Sequence, residues 1–210
     1  ESFFKDCGWY VNRRGRFAFS AKGGSNGESH NHNDIGSFII ADAGGQLAAD
    51  YGAGEYTHDY FAEKRYEYLC TSSAGHSVPI IDGKYQQPGE KYCAKVTESE
   101  NNVFAADISG AYDVLGLSGL VRSFEVNDSG VIMKDKFTFS DGGAHTITER
   151  IVSVIKPEVK DGRVTIGSLT MECEDAFEIK SESLKAHNAK DDVLYIVDFA
   201  AGENFEIKFV

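Results

Sequence analysis

The clearest structural signal in the chain is a stretch of twenty residues, 120–139, which reads LVRSFEVNDSGVIMKDKFTF. Both halves are rich in Val, Ile and Phe, which favour strands, and the central Asn127-Asp-Ser-Gly130 consists of turn-forming residues. The stretch predicts an antiparallel β-hairpin with arms over 120–126 and 131–139. Arg122 and Asp135 lie in the facing arms, where a cross-strand ion pair explains them without a catalytic role.

The same rhythm of short apolar runs between turn signals continues over the whole chain, which has 22 glycines and only 3 prolines. Further strands are predicted over residues 16–21, 37–42, 46–50, 77–81, 95–99, 103–108, 145–155, 163–172, 176–181, 193–199 and 204–210. One short amphipathic helix is predicted over 57–69, with Thr57 as its N-cap. So many short strands at this spacing indicate an all-β fold, a large antiparallel two-layer β-sandwich. We expect one domain over 1–210, with a small C-terminal sheet or lobe from about residue 157.

The charge balance excludes two classes of partner. The chain has 33 Asp and Glu against 21 Lys and Arg, a net charge of -12 and a pI near 4.9. Binding to nucleic acid or to an anionic membrane surface requires a basic face, so neither is expected. No apolar run approaches the roughly 20 residues of a spanning helix, which again argues against a membrane partner.

The chain begins Glu-Ser-Phe-Phe without an initiator Met, so we expect it to be part of a longer protein. Its cysteines are scattered and predict neither a zinc ribbon nor a disulfide framework. They are Cys7, Cys70, Cys93 and Cys173. They do not fix the compartment; a periplasmic or secreted parent is favoured, and a cytoplasmic one stays open.

Polar residues of the ligand type concentrate in residues 23–38, GGSNGESHNHNDIGSF, which lead into an apolar strand. If the central part is extended, His30, His32 and Asp34 project to one face, and Asn31 and Asn33 to the other. Two imidazoles on one face can share a metal, or divide metal binding from proton transfer. Solvated loop histidines are the alternative, which five such residues in a row make less favourable.

Two further candidates lie at junctions of strands and loops, Asp50 and His76. Together with His32 they would supply two neutral nitrogens and one anionic oxygen, which suits Zn²⁺ with an open fourth position. Such long-range spacing is weak support by itself. A turn-capping Asp50 and a surface-loop His76 are the alternatives.

Two further kinds of residue could contact a ligand. Arg13 belongs to the densest positive cluster, and guanidinium groups pair well with sulfate or carboxylate. Solvated arginines explain this cluster equally well. Tyr56 lies among several tyrosines whose rings could stack on a sugar, although core packing is the commoner role of such residues.

Several of these motifs together resemble the C-terminal domain of the heparinase II/III-like polysaccharide lyases. The resemblance is carried by Trp9-Tyr-Val-Asn-Arg13, residues 27–38, Asp50-Tyr-Gly52, Tyr56-Thr57, Arg65-Tyr66 and His76. The match is dense over about residues 6–83, and the remainder agrees mainly in the rhythm of its strands.

The resemblance implies a β-sandwich that packs beside an N-terminal α/α-toroid domain, with the substrate cleft between them. His30 corresponds to a catalytic-site residue that binds or neutralises a uronate carboxylate, and Asn31, Arg13 and Tyr56 are assigned to substrate binding. His32, Asp50 and His76 match the ligands of a structural zinc. The toroid carries the catalytic Tyr of the family, and no position here matches it, so the chain alone is expected to be inactive or nearly so.

Uronate lyases remove the C5 proton and expel the O4 substituent, so they must neutralise the carboxylate and supply a base and an acid. Our first hypothesis is a lyase domain that acts on an acidic polysaccharide of the heparin, heparan sulfate or alginate type. The competing hypothesis is a noncatalytic carbohydrate-binding or scaffolding sandwich with a structural zinc. A metal hydrolase ranks last, because no general-base carboxylate stands out.

Overall fold

The computed structural model describes residues 1–210, which form nineteen strands in four antiparallel sheets. The strands are β1 (Ser2–Phe4), β2 (Trp9–Arg14), β3 (Phe17–Lys22), β4 (Ser25–Asn26), β5 (Phe38–Asp42), β6 (Gly45–Ala48), β7 (Ile80–Ile81), β8 (Gly89–Cys93), β9 (Lys95–Glu98), β10 (Val103–Asp107), β11 (Leu117–Asn127), β12 (Gly130–Phe139), β13 (Ile147–Ser153), β14 (Glu158–Lys160), β15 (Arg163–Ile166), β16 (Leu169–Glu172), β17 (Phe177–Lys185), β18 (Asp191–Ala201) and β19 (Asn204–Phe209). The helical residues form four 3₁₀ turns: Asp59–Phe61, Glu63–Glu67, Ser73–Gly75 and Ser109–Ala111. The structure contains no helix with the length and apolar character needed to cross a membrane.

The sheets form the two layers that the sequence predicts. One layer is an eight-stranded sheet in the order β14-β15-β16-β19-β12-β11-β10-β9. The other combines a five-stranded sheet, β1-β2-β3-β5-β6, with a four-stranded sheet, β17-β18-β13-β7. These two sheets adjoin where Ala49 donates its backbone N–H to the Val152 carbonyl and Ser153 donates its hydroxyl to the Leu47 carbonyl. A short pair, β4-β8, lies apart from them.

Aromatic side chains fill the space between the layers. Phe124 of the eight-stranded sheet packs against Phe19 and Phe38 of the five-stranded sheet, with ring centroids 5.0 and 5.2 Å apart. Phe199 and Phe205 make the equivalent contact between the four- and eight-stranded sheets, at 5.9 Å. Burying such rings stabilises the domain by about 1.5–3 kcal/mol each. One contiguous core of 32 buried residues therefore joins the three large sheets.

The hairpin over 120–139 is confirmed, and it extends further than the sequence predicts. β11 pairs with β12 from Leu117 to Asn127, and Asn127 Oδ1 accepts from the backbone N–H groups of Ser129 and Gly130 in the turn. Inward and outward residues alternate along both arms, as a strand with one buried face requires. Local pattern and turn chemistry agree here, which explains why the prediction succeeds.

The predicted α-helix over 57–69 is wrong: the segment forms two 3₁₀ turns separated by Ala62, whose backbone is extended. The Thr57 hydroxyl does accept the Tyr60 N–H, as a cap would. However, the Tyr60 carbonyl accepts from Arg65 Nη1 at 3.0 Å, and the Arg65 carbonyl accepts from the Thr71 hydroxyl. Because side chains take these carbonyls and aromatic residues have low helix propensity, the helix does not propagate.

The residues after Pro157 do not form a sheet of their own. β14, β15 and β16 extend the eight-stranded sheet through β19, whereas β17 and β18 belong to the four-stranded sheet. The strand predicted over 163–172 is two strands joined at Gly167, whose φ of 58° marks a turn. The C-terminal strands thus complete both layers of the sandwich.

Candidate functional site

The exposed histidine of the motif stands in a turn. His30 has a left-handed backbone, with φ of 59°, and its side chain is exposed. A non-glycine residue in this region is uncommon and is often associated with function. This turn interrupts the predicted extended alternation, so His30 does not continue the row of His32 and Asp34.

After His30 the predicted alternation holds. The two asparagines of the motif lie beside Tyr66, whereas His32 and Asp34 turn toward His76. The His32 and His76 rings are 5.3 Å apart between centroids. The segment therefore presents two different surfaces, one built on imidazole and carboxylate groups and one on amides.

His76 is held in one orientation by the backbone. Its Nε2 lies 3.1 Å from the Cys70 carbonyl oxygen, which can only accept, so Nε2 carries the proton. Nδ1 lies 3.0 Å from Asp50 Oδ2, but the ring is not aligned for a hydrogen bond and buried Nδ1 has no such partner. A carbonyl that fixes the far nitrogen is the usual support of a metal-binding histidine.

Two carboxylates face His76. Asp34 and Asp50 each place an oxygen within 4.8 Å of the imidazole nitrogen and of one another. Burial opposes protonation of His76, but the negative charges of Asp50 and Asp34 outweigh burial and raise its pKa. For Asp34 the balance is the opposite one: burial outweighs the positive charges of His76 and Lys22 and raises the pKa of Asp34 above its ordinary value. This arrangement attracts a cation strongly.

Each carboxylate has a second partner. Lys22 Nζ contacts Asp34 Oδ1 at 2.5 Å, and both side chains are largely buried. Ser37 donates its hydroxyl to Asp50 Oδ1 at 3.0 Å. These contacts orient the oxygens before any ligand binds.

His32 supplies a further neutral nitrogen beside this group. Burial, followed by the positive charges of His76 and Arg65, lowers the pKa of His32 to about 3. The ring is therefore neutral at physiological pH and keeps a free lone pair. A neutral His32 ring, two carboxylates and the buried Nδ1 of His76, which would give up its proton to a metal ion, are a donor set that fits Zn²⁺. Of the predicted ligands, the structure brings Asp50 and His76 together, adds Asp34 and places His32 alongside.

Buried Arg122 hydrogen-bonds to both segments of the site, the one that carries Asp34 and the one that carries His76. Arg122 Nη1 donates to the carbonyls of Gly36 at 3.0 Å and Ser77 at 2.8 Å. Its other nitrogens contact Asp135 and Glu149, all within the core. Burial, followed by the Asp135 charge, raises the Glu149 pKa well above its ordinary value, which favours a protonated carboxyl beside the ion pair.

The predicted substrate residue Asn31 is largely committed within the chain. Its Nδ2 donates to the Asn26 carbonyl at 2.6 Å, and its Oδ1 accepts from the Tyr66 hydroxyl at 2.9 Å. Arg65 donates to its backbone carbonyl at 2.8 Å. Asn31 is buried, so its visible role is to hold the motif in place.

The other two predicted substrate residues lie outside the cluster of Asp34, Asp50 and His76 that could hold a metal ion. Arg13 is exposed on β2, four residues from Trp9, which borders a narrow opening beside Asp34. At about 3.3 Å per residue, Arg13 lies roughly 13 Å from Trp9 along the strand. Tyr56 is exposed and packs edge-on against His187, with centroids 4.3 Å apart.

The Heparinase II/III-like, C-terminal family model matches residues 1–191. The chain belongs to the heparinase II/III-like family. No curated protein sequence matches this chain.

Solved structures similar to this heparinase II/III-like domain support its fold. A mutant of the heparan sulfate lyase HepC from Pedobacter heparinus superposes with a TM-score of 0.70 at 19% identity, covering 97% of this chain and 35% of that one. A heparinase III with methylated lysines gives 0.69 at 15% identity, covering 96% and 33%. Another heparinase III gives 0.68 at 16%, covering 97% and 35%. The chain thus spans about a third of the length of these proteins, and at such identities the likeness shows the fold.

Three residues of this heparinase II/III-like domain contribute to the site without having been assigned to it from the sequence. Asp34 could have been found, because alternation puts it on the His32 face. Lys22 follows the inward-facing Ala21 on β3, so alternation places it on the outer surface, where nothing local predicts its burial. Arg122 contacts Gly36 and Ser77, which are 86 and 45 positions away from it in the sequence, and no local pattern reveals such contacts.

Proposed function

We propose that this chain is the β-sandwich domain of a polysaccharide lyase that cleaves uronate-containing acidic glycans by β-elimination. The observation that carries the proposal is the exposed His30 in a left-handed turn, two residues from the half-buried His32 and its carboxylate neighbours. Membership of the family and the heparan sulfate lyase named among its structural neighbours support it.

The chemistry assigns His30 a defined task. Removal of the C5 proton builds enolate-like charge on a carboxylate that is already anionic, so a donor at that carboxylate lowers the barrier. An imidazole can donate a hydrogen bond there or carry a proton, because it changes charge near neutral pH. The domain is incomplete by itself: the catalytic Tyr belongs to a helical N-terminal domain of the same protein.

The test measures formation of the unsaturated product. In the full-length protein, His30→Asn tolerates the left-handed backbone but removes the imidazole. We expect it to lower turnover about 100-fold or more, since general acid–base groups contribute roughly 10²–10⁴-fold. His58→Asn is the matched control, because His58 is exposed on another turn. Wild-type turnover in His30→Asn would exclude His30 from the mechanism. If the full-length wild-type protein binds the glycan but forms no unsaturated product, the noncatalytic carbohydrate-binding module is favoured.

We also propose that His32, Asp50 and His76 hold a structural Zn²⁺, with Asp34 beside them. Bound zinc would neutralise the carboxylates and join the motif to the loops that carry Asp50 and His76. Elimination consumes no water, so activation of a water molecule is not required of it. Metal analysis of the purified protein tests this: one zinc per chain is expected, and chelation should lower the melting temperature. Absence of stoichiometric metal contradicts the assignment.

A further inference from the structure

The turn that carries His30 is closed by a long backbone hydrogen bond. The Asn31 N–H donates to the Glu28 carbonyl at 3.4 Å, which places His30 at the third position of a four-residue turn. A positive φ at this position is usual for Gly or Asn and is less favourable for a histidine. Such a conformation persists only when the surrounding structure fixes it. The turn therefore needs support from another part of the chain.

Arg65, in the 3₁₀ turn Glu63–Glu67, holds the backbone of the residue that directly follows His30. Its Nη2 donates to the Asn31 carbonyl at 2.8 Å, and its Nη1 donates to the Tyr60 carbonyl at 3.0 Å. The guanidinium also lies over the Tyr60 ring, 4.9 Å from the centroid. These two hydrogen bonds form a clamp, because one planar group joins two backbone carbonyls and is itself fixed by the ring.

The loop that carries the clamp is anchored to the motif a second time. The Arg65 carbonyl accepts from the Thr71 hydroxyl, and the Thr71 carbonyl accepts from the Asn33 N–H at 2.9 Å. The loop thus contacts the backbone at Asn31 and at Asn33, on both sides of His32. The His30 turn therefore begins at a fixed end of the motif.

We propose that Arg65 is a positioning residue for His30: its clamp on the Asn31 carbonyl holds the left-handed turn that exposes the imidazole. The catalytic task of His30 rests on the function proposed above, whereas the clamp rests on the contacts of Arg65. A lysine cannot replace it, because a compact ammonium lacks the planar fork that reaches both carbonyls. The alternative is that Arg65 binds an anionic group of the substrate directly.

Hydrogen exchange followed by mass spectrometry tests the clamp without any substrate. In Arg65→Met and in Arg65→Lys, peptides that cover residues 27–33 should exchange about tenfold faster, the effect of losing roughly one charge-assisted hydrogen bond. Arg16→Met is the matched control and should leave these peptides unchanged. Arg16 likewise donates to a carbonyl, that of Ser168 at 3.0 Å, and lies over the Phe17 ring at 4.5 Å, but at the opposite end of β3 from the motif.

Kinetics of the full-length protein separate positioning from substrate binding. Both Arg65 variants should lower kcat about tenfold or more and change KM by less than about twofold, because a misplaced group loses turnover without losing a substrate contact. Direct binding of an anionic group predicts the reverse, a raised KM with Arg65→Lys close to wild type. That pattern overturns the proposal.

Unchanged exchange over residues 27–33 in folded Arg65→Lys also overturns the proposal. This variant keeps the positive charge and the aliphatic stem, so it decides the question if Arg65→Met does not fold. Failure of the lyase assignment gives a different result. If the parent forms no unsaturated product, faster exchange still supports the clamp while the lyase is rejected. Turnover that depends on His30 but not on Arg65 keeps the lyase and rejects the clamp.

Discussion

Arg122 donates a hydrogen bond from Nη1 to the carbonyl oxygen of Ser77 at 2.8 Å, and Ser77 directly follows His76. The same nitrogen reaches the carbonyl of Gly36, two residues after Asp34. Both segments of the candidate metal site therefore depend on one buried guanidinium. The cross-strand pair with Asp135 balances its charge, so the ion pair that the sequence predicts also serves to position the site.

Arg122→Met should destabilise the domain by about 3–5 kcal/mol, because it leaves buried carboxyl groups without their cation. It should also weaken zinc binding, since the segments carrying Asp34 and His76 lose their common anchor. Urea unfolding and zinc titration measure the two effects separately. Arg14→Met is the control: its ion pair with Asp128 is exposed and should contribute less than about 1 kcal/mol. Wild-type zinc affinity in folded Arg122→Met would show that the anchor does not position the ligands.

The fold follows from local patterns wherever those patterns agree with one another. Along residues 120–139, strand propensity, alternation and turn residues point the same way. Over 57–69, periodicity predicts a helix, but contacts from Arg65 and Thr71 to backbone carbonyls decide otherwise. Such contacts depend on the folded chain and leave no periodic signal.

The site was predictable in part for the same reason. Alternation correctly separates His32 and Asp34 from the asparagines of the motif, because it needs only an extended backbone. His30 departs from it through a left-handed turn. The pairing of Lys22 with Asp34 depends on how the loop folds back over β3 and so cannot be read from spacing.

Lys22→Met should raise the affinity for zinc, about tenfold as a first expectation for removing one competing hydrogen-bonded charge. Lys22 Nζ contacts Asp34 at 2.5 Å, so its ammonium competes with a metal ion for that carboxylate. In the absence of metal the variant should be less stable, because Asp34 loses its buried partner. Isothermal titration with zinc and thermal unfolding with and without chelator test this. Lys5→Met, at an exposed position, is the control; weaker zinc binding in Lys22→Met would mean that Lys22 supports the site.

Gly36→Ala should destabilise the domain more than Gly83→Ala. Both glycines have positive φ, 86° and 70°, so an alanine is strained at either position. At Gly36 the added Cβ would also lie 2.8 Å from Ile108 Cδ1, whereas at Gly83 it meets nothing within 4 Å. The backbone term is about 1–2 kcal/mol at both sites, and overpacking adds about 1–3 kcal/mol at Gly36. If both variants lose the same free energy of unfolding in urea, the Ile108 side chain moves aside for the added methyl group without destabilising the domain.

The stability of the β7–β13 corner should depend on pH through His145. Its Nδ1 lies 2.7 Å from Asp82 and its Nε2 3.0 Å from Asp141, with the ring stacked on Phe139. Hydrogen bonds to Asp141 and then Asp82 raise the His145 pKa, and the His145 contact lowers the pKa of both aspartates.

A raised histidine pKa stabilises the fold fully below the unfolded value of about 6.5, and this contribution disappears as pH rises through the folded value. The lowered aspartate pKa values stabilise the fold above about 3.9, a contribution that is lost as pH falls through their folded values. The melting temperature of wild type relative to His145→Gln should therefore be highest between roughly pH 4 and 6.5 and decline on either side. Asp141→Asn should reduce this difference in melting temperature, because it removes the hydrogen bond that contributes most to the raised His145 pKa. A difference between wild type and His145→Gln that stays constant from pH 5 to 9 would show that the bridged histidine carries no extra proton.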